Sequence, residues 1–391
     1  MTSTSSGAES PDQVLRLWEA VRQTSHELVW ELDPSGVMRF MSEAAVEILG
    51  VTPSELVGRS VFSVIHPDDA GMARDILEEC VMRRTGWKEI RLRAVRPDGD
   101  TPWVETSGVA HIGPGGELLG FTATTRRLDA DDAREASLSI VRDRIEEVLA
   151  ERRLRIVWQP IFSLDTGFIV GVEALSRFDP GHGTPDKWFT DAFCVGRGVD
   201  LELLAIEKAL DEARHFDPQV YVSVNVSPET VASGALPAVV TAGPVEADRL
   251  VLELTEHVSI ENYESVAGCL AQLSRAGARI AVDDAGAGFA SFRHILKLRP
   301  DIIKLDQSIT RGITGNPAQR ALATALVLFG IEVGSITITA EGVETAEDLV
   351  TVSTLGIDAA QGFHMSAPVA GADIDWQQTV PPAWSMDPAE R

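Results

Sequence analysis

Between residues 157 and 361 the chain keeps one rhythm: short apolar runs recur, and a polar residue closes nearly every one. Val157-Trp158 leads to Gln159, Ile169 to Val172 leads to Glu173, Val220 to Val224 leads to Asn225, and Leu250 to Leu252 leads to Glu253. Ile280 to Val282 leads to Asp283 and Asp284, Ile302-Ile303 to Lys304, Ile336 to Ala340 to Glu341, and Gly356 to Ala360 to Gln361. Continuous apolar runs of this length fit strands buried on both faces, and the helix-length spacers between them fit crossover connections. Eight such strands with functional groups at their carboxyl ends predict an α/β TIM-like (β/α)8 barrel of about 230 residues.

Any one of these polar residues could simply begin a surface loop. Eight in register do not arise that way, because most are carboxylates that repel one another when gathered without a cation. Glu173, Glu253, Asp283, Asp284 and Glu341, with Asn225, form an oxygen-only donor set. Hard oxygens without Cys or His suit Mg2+ or Mn2+ and not zinc or copper. The carboxylates suffice for two ions, and a metal pair can hold both the attacking and the leaving oxygen of an in-line phosphoryl displacement. That points to phosphodiester hydrolysis. The formal charge, 34 Lys+Arg against 59 Asp+Glu for −25, argues against binding nucleic-acid polymers or anionic membrane surfaces. A phosphate-bearing ligand therefore needs local compensation.

Residues 145–376 resemble the EAL-domain cyclic di-GMP phosphodiesterases. The resemblance is carried by Glu173-Ala174-Leu175-Ser176-Arg177, Asn225-Val226-Ser227, Glu253-Leu254-Thr255-Glu256, Asp283-Asp284, Lys304-Leu305-Asp306, Ala340-Glu341-Gly342-Val343-Glu344 and Gln361-Gly362-Phe363, in family order. It implies that Glu173, Asn225, Glu253 and Asp283 bind one Mg2+ or Mn2+ and that Asp284 and Glu341 help to hold a second. Lys304 would orient the attacking water or neutralise phosphate, the bland reading being a buried salt-bridge lysine. Catalysis would thus rest on Lys304, Glu341 and Asp284. Arg177 would fork onto a phosphate oxygen, Gln159 and Gln361 would position the dinucleotide, and Leu175 belongs to the substrate side of the motif. Glu344 would order the site or touch a base, and Glu256 would anchor the loop Ala285-Gly286-Ala287-Gly288-Phe289-Ala290-Ser291. Ala285 and Ala290 depart from the family pattern in that loop. The activity implied is hydrolysis of cyclic di-GMP to linear pGpG by a metal-activated water. The alternatives are a receptor that binds cyclic di-GMP without turnover, or another metal-dependent barrel enzyme acting on enolisable acids.

Ahead of the barrel, strand-like runs (Val29–Leu32, Val37–Met41, Glu89–Val95, Trp103–Ile112, Leu118–Thr124) alternate with short helical stretches and turns at Asp33–Gly36, Pro97–Gly99 and Gly113–Gly116. These describe a small α+β sheet domain. With His66-Pro67-Asp68-Asp69 opening a helix, Trp103-Val104-Glu105 and Gly120-Phe121-Thr122, residues 15–128 resemble a PAS sensor domain, whose ligand the sequence does not identify. Between the two lies a helical linker, 129–153, where Leu138, Val141, Ile145 and Val148 step by 3, 4 and 3. Such a seam serves either a helix packed on its own domain or a parallel linker pairing two chains. The resemblance also implies a homodimer. Residues 1–14 and 377–391 read as loose tails. Three scattered cysteines, Cys80, Cys194 and Cys269, make no disulfide framework, and no apolar stretch is long enough to span a bilayer, so a cytoplasmic location is expected.

Overall fold

The structure, a computed structural model, describes residues 27–179, 183–254, 263–285, 295–334 and 336–381. It divides between Ile140 and Val141 into two compact units.

The first unit is a five-stranded antiparallel sheet, β1 (Leu28–Leu32), β2 (Met38–Met41), β3 (Trp87–Arg93), β4 (Trp103–Ile112) and β5 (Leu118–Arg127), in the order β2-β1-β5-β4-β3. Strand alternation turns Leu28, Trp30 and Leu32 inward, where they join Met38, Phe121 and Ala123 in a core of their own. The β1–β2 turn is fixed by Asp33, whose Oδ1 accepts from Ser35 N at 2.9 Å and Val37 N at 3.0 Å. The helix Ala70–Arg83 begins one residue after Asp69, a buried carboxylate that accepts from Arg93 on β3. His66 lies just upstream, its Nδ1 accepting from Asp68 N at 3.3 Å, and so serves the turn into that helix. Trp30, Phe62, Leu77, Trp87 and Thr106 line a cavity of about 50 Å3.

In the second unit eight strands close a barrel: β6 (Arg155–Ser163), β7 (Ile169–Arg177), β8 (Tyr221–Val226), β9 (Leu250–Leu254), β10 (Arg279–Ala285), β11 (Ile302–Leu305), β12 (Thr337–Ala340) and β13 (Ala359–Ala360). The eight apolar runs became the eight strands. One departs from the expected repeat: β6 is antiparallel to both β7 and β13, while the other neighbours are parallel. The short connection Leu164–Phe168 closes a hairpin where the repeat would place a helix, with Gly167 N donating to Ser163 O. Helices such as Gly198–Ala213, Tyr263–Arg275 and Pro317–Val333 bury Leu201, Val266 and Leu326 against the barrel.

The linker is one helix, Ala130–Glu151. Ile145 and Val148 of its seam are buried at 0% and 5% exposure in the barrel's core, with Val141 packed beside them. The seam therefore docks the helix on its own barrel, and Ile145 and Val148 are not available to pair two chains. At the end of the described residues the expected loose tail from 377 is not met: Val380 is buried and donates its N–H to Gly167 O at 2.9 Å. Residues 382–391 and 1–14 lie outside the described residues.

Candidate active site

At one rim of the barrel, strand register sorts the polar groups into layers. Gln159 pairs with Glu173 across β6–β7, Glu173 with Ser223, and Asn225 with Glu253. The period of two on a strand puts Ser223 and Asn225 on one face of β8 and Glu173, Leu175 and Arg177 on one face of β7, and because Glu173 pairs directly with Ser223 these are the same side of the barrel wall. Consecutive Asp283 and Asp284 would ordinarily point to opposite faces. Here the β10–β11 register slips between Val282 and Ala285, and Asp284 adopts φ 53°, a left-handed conformation rare for a non-glycine residue. That irregularity brings one oxygen each of Asp283, Asp284 and Glu341 within 4.8 Å of one another. Backbone strain of this kind accumulates where function fixes the geometry.

Lys304 occupies the centre, 1% exposed. Its Nζ lies 2.5 Å from Glu341 Oε1, 2.7 Å from Glu253 Oε2, and 3.3 Å from both Glu173 Oε2 and Asp283 Oδ1. The bland expectation of a buried, salt-bridged lysine is thus met, and it is met inside the carboxylate cluster. Asn225 Nδ2 donates to Glu173 Oε1 at 3.0 Å, and Gln361 Nε2 to Glu173 Oε2 at 2.6 Å and Glu341 Oε1 at 3.2 Å. Ser223 Oγ donates to Glu253 Oε1 at 2.5 Å. Gln159 Nε2 donates to Ser366 O at 3.2 Å, and the Thr310 hydroxyl to the Glu341 carbonyl.

The electrostatics follow from burial and crowding. Burial, with the charge of Glu173, pushes Glu253 up to about 8 against the pull of Lys304. Burial and neighbouring carboxylates likewise raise Asp283 and carry Glu341 well above the usual range. Burial acts on Glu173 too, but Lys304 and the Gln361 and Asn225 bonds outweigh it and hold it low. Burial works against the charge of Lys304, yet Asp283, Glu173, Glu253 and Glu341 raise it further. Among the described residues, one cation faces more acids than it can neutralise.

Gln159, Glu173, Asp283, Asp284, Glu341 and Gln361 line a cavity of about 270 Å3, shared with Asp306, Gln307, Gly342, Glu344 and Phe363. Lys304 and Glu253, each only 1% exposed, are not among its lining residues. Glu344 pairs with Arg311 at 3.0 Å. Leu175 and Arg177 are half-buried and sit further along β7, with Arg177 Nη1 donating to Ser176 O at 2.8 Å, and neither lines this cavity. Arg177 lies about 13 Å up the strand from Glu173 at strand rise, which reaches the rim and not the carboxylates. Glu256 and Ala290 fall outside the described residues, whereas Ala285 is buried at the end of β10.

Three contributors escape a reading of the strand ends. Ser223 holds Glu253, and its signal was its place two residues before Asn225. Gly342, at φ 60°, packs so closely on Gln307 that a Cβ would come 2.6 Å from Gln307 Cβ. Phe363, 70% exposed, presents a ring at the mouth. A groove of about 1000 Å3 between Glu151–Ile156 and the helix Gly198–Ala213 is larger, but it holds none of the carboxylates; there Arg152 pairs with Glu207 and Lys208 with Leu154 O.

As a metal site the rim is all oxygen, the donor chemistry of Mg2+ or Mn2+. Asp283 Oδ1 is buried and, though near Lys304, accepts no hydrogen bond. The residues present therefore fit a hard divalent cation beside Asp283, Asp284 and Glu341.

Comparison with known proteins matches residues 142–368 to the family model described as EAL domain and residues 16–128 to the PAS fold. The chain is 30% identical to the uncharacterized protein y4lL of Sinorhizobium fredii, over 66% of this chain and 31% of that one. It is 27% identical to the cyclic di-GMP phosphodiesterase PA2567 of Pseudomonas aeruginosa, over 71% of this chain and 49% of that protein. It thus spans about a third and about half of these two curated relatives. Among solved structures, the PaMucR phosphodiesterase in complex with c-di-GMP superposes with a TM-score of 0.53 at 26% identity, covering 59% of this chain and 97% of that one.

Proposed function

The chain belongs to the EAL domain family and carries a PAS fold ahead of its barrel, and from that premise we propose that it is a cyclic di-GMP phosphodiesterase that opens its substrate to linear pGpG under the influence of the PAS unit. The observation that carries this reading is the convergence of Asp283, Asp284 and Glu341 within 4.8 Å beside the buried Lys304. The names of the matched PA2567 and MucR proteins support the substrate.

In this reading Glu173, Asn225, Glu253 and Asp283 hold one Mg2+ or Mn2+, and Asp284 and Glu341 help with a second. Bound there, such ions supply Lewis-acid charge that offsets the phosphodiester and makes water acidic enough to act as a nucleophile. The protein's own groups do the rest. Lys304 keeps its proton and fixes the carboxylates around one point, so the donors are preorganised before substrate arrives. Gln361 locks Glu173 and Glu341 together through one amide. Gln159 and Glu344 face the dinucleotide from the cavity wall, Leu175 lies along the substrate side of β7, Phe363 offers an aromatic face to a base, and Arg177 takes a phosphate oxygen at the rim.

Purified protein incubated with cyclic di-GMP and Mn2+ should yield pGpG by chromatography, and Glu173→Ala should abolish it while the protein stays folded by circular dichroism. Full turnover in Glu173→Ala would overturn the assignment. The second reading, a receptor without turnover, is favoured by the way Lys304 and Ser223 already engage both Glu253 oxygens. Binding of cyclic di-GMP with no pGpG formed would select it.

A homodimer also belongs to this proposal. It no longer rests on Ile145 and Val148; the exposed Leu328, Ile331 and Val333 on the helix Pro317–Val333 offer an apolar surface for a second copy. Light scattering at micromolar concentration should give twice the chain mass. The unpaired Cys80, Cys194 and Cys269 support a reducing, cytoplasmic setting, and among the described residues no helix is long and apolar enough to cross a membrane.

A further inference from the structure

The linker helix does more than dock on the barrel with Ile145 and Val148. The residue between its apolar contacts, Arg144, reaches sideways onto the helix Pro185–Cys194. Its Nη2 donates to Asp191 Oδ2 at 2.6 Å, and its guanidinium carbon lies 4.5 Å over the Trp188 ring. The second Asp191 oxygen accepts from Lys187 Nζ at 2.6 Å. Trp188, 2% exposed, stacks on Phe178 with centroids 4.8 Å apart and planes 11° from parallel. Phe178 is the residue after Arg177.

That end of β7 needs holding. Pairing with β8 stops at Ala174 opposite Val224, whereas β6 continues to pair as far as Arg155 opposite Arg177. Leu175, Ser176 and Arg177 are thus supported by strand pairing on one side only. The stacked Phe178 and Trp188 rings brace the far end, and Trp188 is itself capped by Arg144. At its other end the same helix is tied to the sheet of the first unit, through Arg126–Asp132 at 3.4 Å and Arg91–Glu135 at 3.2 Å.

We infer that Arg144 is a positioning residue for the substrate: through Asp191, Trp188 and Phe178 the linker helix sets where Arg177 stands at the rim. This rests on the phosphodiesterase reading, in which Arg177 meets a phosphate oxygen. A shift of the helix along its axis would then be felt as substrate affinity and not as loss of the carboxylate cluster.

The test uses the full chain. Arg144→Ala should raise KM for cyclic di-GMP about tenfold with kcat within about threefold, because only a binding group is misplaced. Cyclic di-GMP affinity measured calorimetrically with metal omitted should weaken in step. Arg144→Lys, which keeps the charge on Asp191 but loses the planar stack on Trp188, should restore part of the KM; it is also the variant to read should Arg144→Ala fold poorly. Unchanged KM in both variants, or a loss confined to kcat in proportion to unfolded protein, would overturn the inference. Wild-type protein that neither binds nor cleaves cyclic di-GMP would instead overturn the reading on which it rests.

Discussion

Lys304 sits with four carboxylates around its ammonium group, and their charges do not cancel. The excess is relieved by protons: burial and neighbouring acids raise Asp283 and Glu341, and lift Glu253 to about 8. A carboxyl whose folded pKa lies above its unfolded one holds a proton that the unfolded chain has released. Stability of the metal-free protein should therefore fall as pH rises from about 5 to about 8, the window between those values. Glu173, held low, and Lys304, held high, keep their charges throughout that window and leave the sign unchanged. A divalent cation competes for the same oxygens, so its stabilisation should grow over the same range. Thermal unfolding in EDTA and in Mn2+ at several pH values checks both slopes, and a metal-free melting temperature that climbs with pH would contradict them. Lys304→Met strips the cluster of the one cation that the described residues place in it and should cost roughly 3–5 kcal/mol at neutral pH, a deficit that narrows toward pH 5 as the acids take up protons.

At the scale of elements, the linker helix divides by what its residues touch. Ile145→Ala empties a fully buried position in the barrel core and should destabilise the barrel by about 2–5 kcal/mol. Ile140→Ala, 41% exposed in the same helix, should stay within about 0.5 kcal/mol. Chemical denaturation of the two variants separates a helix docked on its own barrel from one that spends its apolar residues on a partner. The sequence could not make that separation, because steps of 3 and 4 describe any apolar stripe on a helix, whatever covers it. The strands were legible for the opposite reason. Buried runs such as Ile280 to Val282 have few other uses, and the polar residue after each marks where the rim begins. Direction was not legible, since Val157-Trp158 reads alike in a parallel or antiparallel strand; only the five residues Leu164–Phe168, too few for a crossover helix, betray the β6–β7 hairpin. The identities of the site residues were visible, but not their geometry. Nothing in adjacent Asp283-Asp284 announces the register slip that turns both toward one rim, and nothing in Ile302-Ile303-Lys304 says that the lysine ends in the middle of the acids.

For the whole molecule, a formal charge of −25 first reads as a barrier to any phosphate ligand. Five of those acids, Glu173, Glu253, Asp283, Asp284 and Glu341, are drawn to one barrel rim, four of them around Lys304 and Asp283, Asp284 and Glu341 close enough together to suit a divalent cation. The two units have separate cores, one built on Trp30 and Phe121 and the other on Trp158, Ile145 and Val148. The second unit includes the part of the linker helix that docks on it, and a cut that respects this should leave it able to fold. A protein beginning at Arg134 keeps Arg144, Ile145 and Val148, and should unfold cooperatively and bind Mn2+ as the full chain does. One beginning at Leu154 loses all three, exposes the core they cover, and should be markedly less stable or fail to fold. Turnover of cyclic di-GMP by the Arg134 protein, compared with the full chain, then measures what the PAS unit contributes: a change in KM with kcat preserved would place that influence on the Arg144 path, whereas collapse of both would mean that the barrel depends on the first unit for its fold. Equal stability of the two truncated proteins would contradict a boundary ahead of Arg144.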